Sequence, residues 1–275
     1  MKNRKRRILP GFSLTLGYTV FYLSILALIP LGACFAKAFS LTPRQFIAAV
    51  WTDRAVAAYK FTLTSALISA VASIILGLLI AWVLVRYEFP FKRVFDSLVD
   101  LPFALPTAVA GLVYSGLYVE KGWLGQFLVP LGIKAAHTPL AVYVVLTFLG
   151  IPFVVRTVQP VLEALEGDTE EAAFLLGATR WQTFRRVILP TLLPALLTGF
   201  ALSVARALGE YGSVVFVSGN MPFRTEIAPV LIVARLEEFA YAEATAIAVV
   251  LLVMSFTMLI LINLLERWSS RYAAE

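Results

Sequence analysis

The chain has 275 residues, of which 60% are hydrophobic and only 15% charged, with a formal net charge of +6 and a mean hydropathy of +0.86. An ordinary soluble domain carries about a quarter charged residues, so that class is excluded. The apolar runs are long enough for membrane-crossing helices, which need roughly 20 residues each. The composition predicts a polytopic all-α membrane bundle.

The first seven residues, MKNRKRR, are basic and precede an apolar run from Phe12 to Phe35. That run exceeds the core of a cleaved signal peptide, about 7–15 residues, so it reads as a retained first span. Cys34, the single cysteine, lies within it. One thiol forms no internal disulfide, and Cys34 reads as a small buried hydrophobe.

A surface segment follows. Thr42 and Pro43 read as an N-cap and first helical residue, predicting a short helix with Phe46, Ala49 and Val50 on one face. Five more spans are expected: Phe61–Val85, Leu98–Val119, Leu140–Val161, Leu192–Val217 and Ala242–Leu265. Pro102 and Pro106 sit near the start of the third, and Gly150 and Pro152 lie inside the fourth. His137, the only histidine, falls between spans and cannot build a metal site alone. Ile227–Ala234 is apolar but too short to span, with Pro229 expected to break any helix there.

Six spans put both termini on one side. That side gathers Lys2, Arg4, Lys5, Arg6, Arg7, Arg86, Lys92, Arg93, Arg180, Arg185, Arg186, Arg267 and Arg271. The other holds Lys37, Arg44, Arg54, Lys60, Lys121, Lys134, Arg224 and Arg235. The positive-inside bias assigns the first side to the cytoplasm and accounts for the net charge without nucleic-acid binding. Trp82, Trp123, Trp181, Tyr241 and Trp268 read as interfacial anchors.

Between spans four and five stands EEAAFLLGATRWQTFRRVILP, 170–190. Asp168 reads as an N-cap with Glu171 as its capping-box partner. Glu163, Glu166, Asp168, Glu170 and Glu171 gather where a helix dipole favours negative charge. Gly177 stands where a glycine ends a helix in the left-handed conformation. A second short helix, Thr179 to about Ile188, places Trp181, Phe184 and Ile188 on one stripe, and Pro190 and Pro194 mark the return to the membrane. A helix, a turn and a helix with an alanine face suit either a knob pressed into a soluble partner or an amphipathic loop under its own bundle.

Arg206 and Glu210 lie inside the fifth expected span, four residues apart. That spacing puts them on one helix face as an ion pair. They are a structural pair or, with Ser203, Gly209, Tyr211 and Ser213, the border of a translocation path. No Gly-x-x-x-x-Gly-Lys-Ser/Thr occurs, so the sequence carries no P-loop. No metal cluster or catalytic triad is arguable, and no enzyme activity or bound cofactor is expected in this chain.

The 170–190 block resembles the EAA loop of ATP-binding-cassette importer permeases. The matching residues are Glu171, Ala172, Ala173, Gly177, Val187, Leu189 and Pro190, with Val187 in place of the usual isoleucine. LPFALPTAVAG, 101–111, and RALGEYGSVVFVSGNMPFRTEIAPVLI, 206–232, are similar to the sulfate/thiosulfate permeases of the CysT family. Molybdate permeases usually have phenylalanine where Tyr211 stands. The resemblance implies a type I importer permease fold of the MetI-like kind. It divides the chain into a basic tail, first span and outer loop (1–59), a permease core (60–265) with its coupling loop (168–190), and a tail (266–275). It implies sulfate/thiosulfate passage by alternating access. The partners would be a homologous CysW-like permease, a CysA-like ATPase dimer carrying ATP and Mg, and an external binding protein, in a bacterial inner membrane. An arginine such as Arg206 suits the path of a dianion if it does not hold the ion too tightly. A molybdate/tungstate permease, or a self-sufficient secondary anion transporter, remains as an alternative.

Overall fold

The computed structural model describes residues 12–165 and 167–272, without the side chains of residues 13, 167, 168 and 267–272. Secondary structure is helical throughout these residues. The predicted basic tail, Glu166, and the side chains of Asp168, Arg267, Trp268 and Arg271 lie outside the described part.

Helix α1, residues 12–38, runs through a π-turn at Ser24–Leu28. Helix α2, Pro43–Val50, begins as expected: Thr42 and Gln45 form a reciprocal capping box with Pro43 at the first position. Helix α3, Asp53–Arg86, starts earlier than the expected Phe61 because Thr52 caps it, its side chain accepting from the Ala55 amide at 3.1 Å. Asp53 in the first turn and Arg86 in the last complement the helix dipole.

The face of α3 that carries Ser65, Ser69, Ser73, Gly77 and Ala81 is buried. Such small residues let a neighbouring backbone approach. The neighbour is α8, Pro139–Ala164. Ser69 Oγ donates to the Tyr143 carbonyl at 3.2 Å, and Ser73 Oγ to the Thr147 carbonyl at 3.1 Å. A β-carbon on Gly77 would meet Val154 Cβ at 2.7 Å. Residue numbers rise together along both helices, so α3 and α8 are parallel.

That parallel register settles how the chain travels between them. From Arg86 it must return across the full height of the bundle before Pro139. It does so in pieces, where one helix over Leu98–Val119 was expected: α4, Lys92–Val99; α5, Leu101–Ala104; and α6, Thr107–Tyr118. Pro102 lies in the first turn of α5 and Pro106 is the N-cap of α6, places where a missing amide hydrogen costs no helical bond. Among the described residues, five helices are long and apolar enough to cross a membrane singly; α6 is shorter. A short helix α7, Gly125–Leu128, leads back towards α8.

After α8 comes α9, Gly167–Leu175, then α10, Arg180–Leu208. The expected second short helix over 179–188 is not separate from the expected re-entry at Pro190. They form one continuous helix with a π-turn at Phe184–Ile188. The Leu189 amide reaches back to the Phe184 carbonyl, and this wider turn makes room for the Pro190 ring. Helix α10 then stops at Leu208, short of the expected Val217. A break at Gly209–Ser213 separates it from α11, Val214–Val217. Pro229 does not break a helix but opens one, α12, Ala228–Glu237. The last helix, α13, is Tyr241–Tyr272.

α10 runs antiparallel to α8: Ser203 bonds the Gly150 carbonyl, while Gly199 faces Val154. α13 runs with α3: Ile247 packs with Ala55 and Ala58, and Glu266 accepts from Thr198 at 2.5 Å near the other end. The core is continuous along this bundle. Val142, Val145, Val204 and Leu208 fill the Pro139 half, and Val154, Val158, Leu162, Ile188 and Leu192 the Arg86 half. Cys34 is partly buried beside Ala38, Val50, Ala246 and Val249.

Candidate coupling surface and anion path

At the Arg86 end the chain projects α9. Its start differs from expectation: Asp168 is the second helical residue rather than the cap. Its end is as expected. The Ala178 amide donates to the Ala173 carbonyl at 3.0 Å and the Gly177 amide to the Phe174 carbonyl at 2.9 Å. These two bonds define a Schellman turn, with Gly177 at φ 81°, a conformation costly for any residue with a β-carbon. The second half is fixed by another capping box, Thr179 with Gln182.

The turn leaves Phe174, Leu175 and Leu176 exposed at 76%, 85% and 88%. Three successive large apolar side chains out of the bundle, beside the motif residues Glu171, Ala172 and Ala173, form a surface built to be covered. The sequence contained the signal, an apolar triplet before a helix-ending glycine, but amphipathic periodicity does not single it out. Val187, Leu189 and Pro190 lie elsewhere, in the π-turn and the first turns that follow it in α10. Of the stripe Trp181, Phe184 and Ile188, Ile188 is buried while Trp181 is exposed. Trp181 stacks on Phe184 at 5.6 Å, and Phe184 meets Trp82 edge-on at 5.7 Å. Trp82, Phe184 and Trp181 thus form a row of touching rings.

The Arg206–Glu210 pair forms at 2.5 Å. It does not sit mid-helix. Arg206 occupies the last turn of α10, and Glu210 the break that follows. Glu210 is buried, and its other oxygen accepts from the Ser213 amide and hydroxyl, both at 2.9 Å. Glu210 therefore serves as the internal cap that shapes the break. Ser203 and Ser213 are buried in helix packing and in that cap. Arg206 and Tyr211 keep exposed surface.

Two stretches about a hundred residues apart in the sequence meet here. A β-carbon on Gly111 would lie 2.3 Å from the Ser213 carbonyl oxygen, and one on Gly212 the same distance from Thr107 Oγ1. The start of α6 thus nests on the Gly209–Ser213 break. Three further cations are held in ion pairs. Arg54 grips buried Glu226 with two bonds of 2.8 and 2.7 Å. Arg156 binds Asp100 through two nitrogens at 2.9 and 2.7 Å and Asp96 at 2.7 Å, tying the α4–α5 junction to α8. Arg86 pairs with Glu170. No His/Cys/Asp/Glu group among the described residues could hold a metal ion.

A bundle of long apolar helices with an exposed apolar tip at one end and a charged, broken helix inside suits a membrane transport permease. Residues 73–272 match the family described as the binding-protein-dependent transport system inner membrane component, and the chain belongs to that family. It is 49% identical over 93% of its length to the sulfate transport system permease protein CysT of Synechocystis sp., covering 89% of that protein. It is 47% identical to its Escherichia coli counterpart, with 95% and 94% coverage. In fold it is similar to a bacterial ABC transporter that imports alginate, with TM-score 0.75, 19% identity, and 93% and 94% of the two chains covered. The MetNI methionine ABC transporter in inward-facing conformations gives 0.55 at 19% identity, with 85% and 99% covered. The fold is that of the type I importer permeases, and the chain is a multi-pass membrane permease rather than an enzyme.

Proposed function

We infer that this chain is the membrane-spanning subunit of an importer for sulfate, with thiosulfate as a second substrate. A separate ATPase dimer drives it through the 168–190 loop. The observation that carries the reading is the tip of α9. Phe174, Leu175 and Leu176 stand clear of the bundle on a rigid turn, beside Glu171, Ala172 and Ala173. A self-sufficient transporter has no use for such a surface. Similarity near 49% to sulfate transport permeases supports the choice of anion.

In this reading the Arg86 end faces the cytoplasm of a bacterium, consistent with the basic residues gathered there. A homologous permease completes the path, and an external protein delivers the anion. ATP and Mg belong to the ATPase. Arg206 and Tyr211 border the path. Arg206 attracts a dianion, while its paired Glu210 offsets part of that charge so that the ion can leave.

The test is purification of the tagged chain from its native membrane in mild detergent, with mass spectrometry of what accompanies it. Recovery of an ATPase and a second permease, with both lost on replacing Glu171 and Gly177, is expected. Sulfate uptake that survives ATP depletion and follows an ion gradient would overturn the reading.

A further inference from the structure

The 165–180 loop is joined to the bundle covalently at α8 and α10. The structure adds a third attachment, to α3, which is remote in sequence. The Arg86 guanidinium pairs with the Glu170 carboxylate of α9. The same guanidinium lies over the Trp82 ring, 5.6 Å from its centroid. Trp82 meets Phe184 of α10 edge-on at 5.7 Å. One turn of α3 therefore touches both halves of the loop, through charge on one side and ring packing on the other.

We propose that Arg86 is a positioning residue for energy coupling: its pair with Glu170 carries the displacement of α9 into α3. This rests on the reading of 168–190 as the ATPase-coupling loop. Helix α3 ends at Arg86 and the next helix starts only at Lys92, so the Arg86–Glu170 pair sits at the very end of α3, where it meets α9. The contact is built to hold orientation. A guanidinium sandwiched between an aromatic face and a carboxylate loses less freedom per bond than a free ion pair. It is not needed to hold the bundle together. Ser69, Ser73 and Gly77 already fix α3 on α8 farther along. With the clamp closed, α3, α8 and α10 receive the pull of one loop together; without it, α3 follows late.

The experiment reconstitutes the complete importer with Arg86→Gln, Glu170→Gln, and the charge exchange Arg86→Glu with Glu170→Arg. Sulfate taken up per ATP hydrolysed is measured beside ATPase recovery. Each single variant is expected to retain the ATPase but to lower uptake per ATP about five-fold, the lower end of typical coupling effects. The exchange is expected to recover most of it. Unchanged uptake per ATP in the single variants overturns the clamp and leaves the coupling-loop reading standing. Loss of the ATPase from the single variants also overturns it, since the pair would then shape the docking surface. If the unaltered chain captures no ATPase, the coupling-loop reading fails first. A second measurement covers variants that fold poorly. Arg86→Cys with Glu170→Cys, in a Cys34→Ala background, is joined by a bifunctional methanethiosulfonate long enough to span the ion pair, because a direct disulfide needs α-carbons within about 7 Å. Uptake is expected to survive, because the joined ends move as one body. Uptake blocked by the cross-link and restored by reduction overturns the proposal.

Discussion

Gly111 and Ser213 touch through backbone: a β-carbon at 111 would stand 2.3 Å from the Ser213 carbonyl oxygen and 2.8 Å from its α-carbon. Neither neighbour is a side chain that can swing away. Gly111→Ala therefore forces α6 off the break. Overpacking of this kind costs about 1–3 kcal/mol. Thermal unfolding of the detergent-solubilised chain is expected at lower temperature, whereas Gly116→Ala, with open space around it, leaves it unchanged.

Glu210 has two tasks, pairing with Arg206 and capping Ser213. Glu210→Gln keeps an oxygen for the cap, while Glu210→Ala leaves the Ser213 amide and hydroxyl without their acceptor. A buried unsatisfied polar group costs about 1–3 kcal/mol. The alanine variant is expected to be the less stable by that amount in a denaturation series. The double change Arg206→Gln with Glu210→Gln removes both charges and keeps the cap. It should leave stability near normal and lower sulfate uptake about ten-fold or more, equivalent to ~1.4 kcal/mol or more. Full uptake would assign the pair to structure alone.

Arg54 matters for a similar electrostatic reason in the same half of the bundle. Glu226 has 3% of its side chain exposed and both oxygens on Arg54. Arg54→Leu strands that carboxylate, and breaking a buried pair costs about 3–5 kcal/mol. Arg54→Leu with Glu226→Leu is expected to regain most of the loss. A double-mutant cycle on the unfolding midpoint checks it.

Gly177 holds its turn at φ 81°. Alanine there costs about 1–2 kcal/mol, enough to fray the end of α9 but not the bundle. Gly177→Asn, which tolerates the left-handed region better, is expected to retain more ATPase than Gly177→Ala in the same pull-down.

Leu175 and Leu176 contribute almost nothing to this chain's own core. Changing both to serine is expected to leave the unfolding temperature unaltered and to abolish ATPase capture. Unchanged capture would show that the exposed triplet is not the docking surface.

The local features of this protein were legible in its sequence. Apolar runs announced the crossings, Thr42–Pro43 and Gly177 marked a helix start and a helix end, and Arg206 and Glu210 declared their pairing by spacing alone. Each depends on residues within a turn or two, where helix geometry fixes the distance. Other features depended on how helices lie against one another. Hydropathy cannot tell an unbroken span from α4, α5 and α6 in succession, because apolar residues are equally at home in either. It took the parallel register of α3 and α8 to show that this broken segment returns along the height of the bundle. Likewise α10 ends at Leu208 because buried Glu210 captures the Ser213 amide and α6 packs on the break. The pairs Arg54–Glu226, Arg156–Asp100 and Arg86–Glu170 join positions 172, 56 and 84 residues apart. No periodicity connects such positions; only the packing of the small-residue faces of α3 and α8, and what that packing brings to each end of the bundle, decided them.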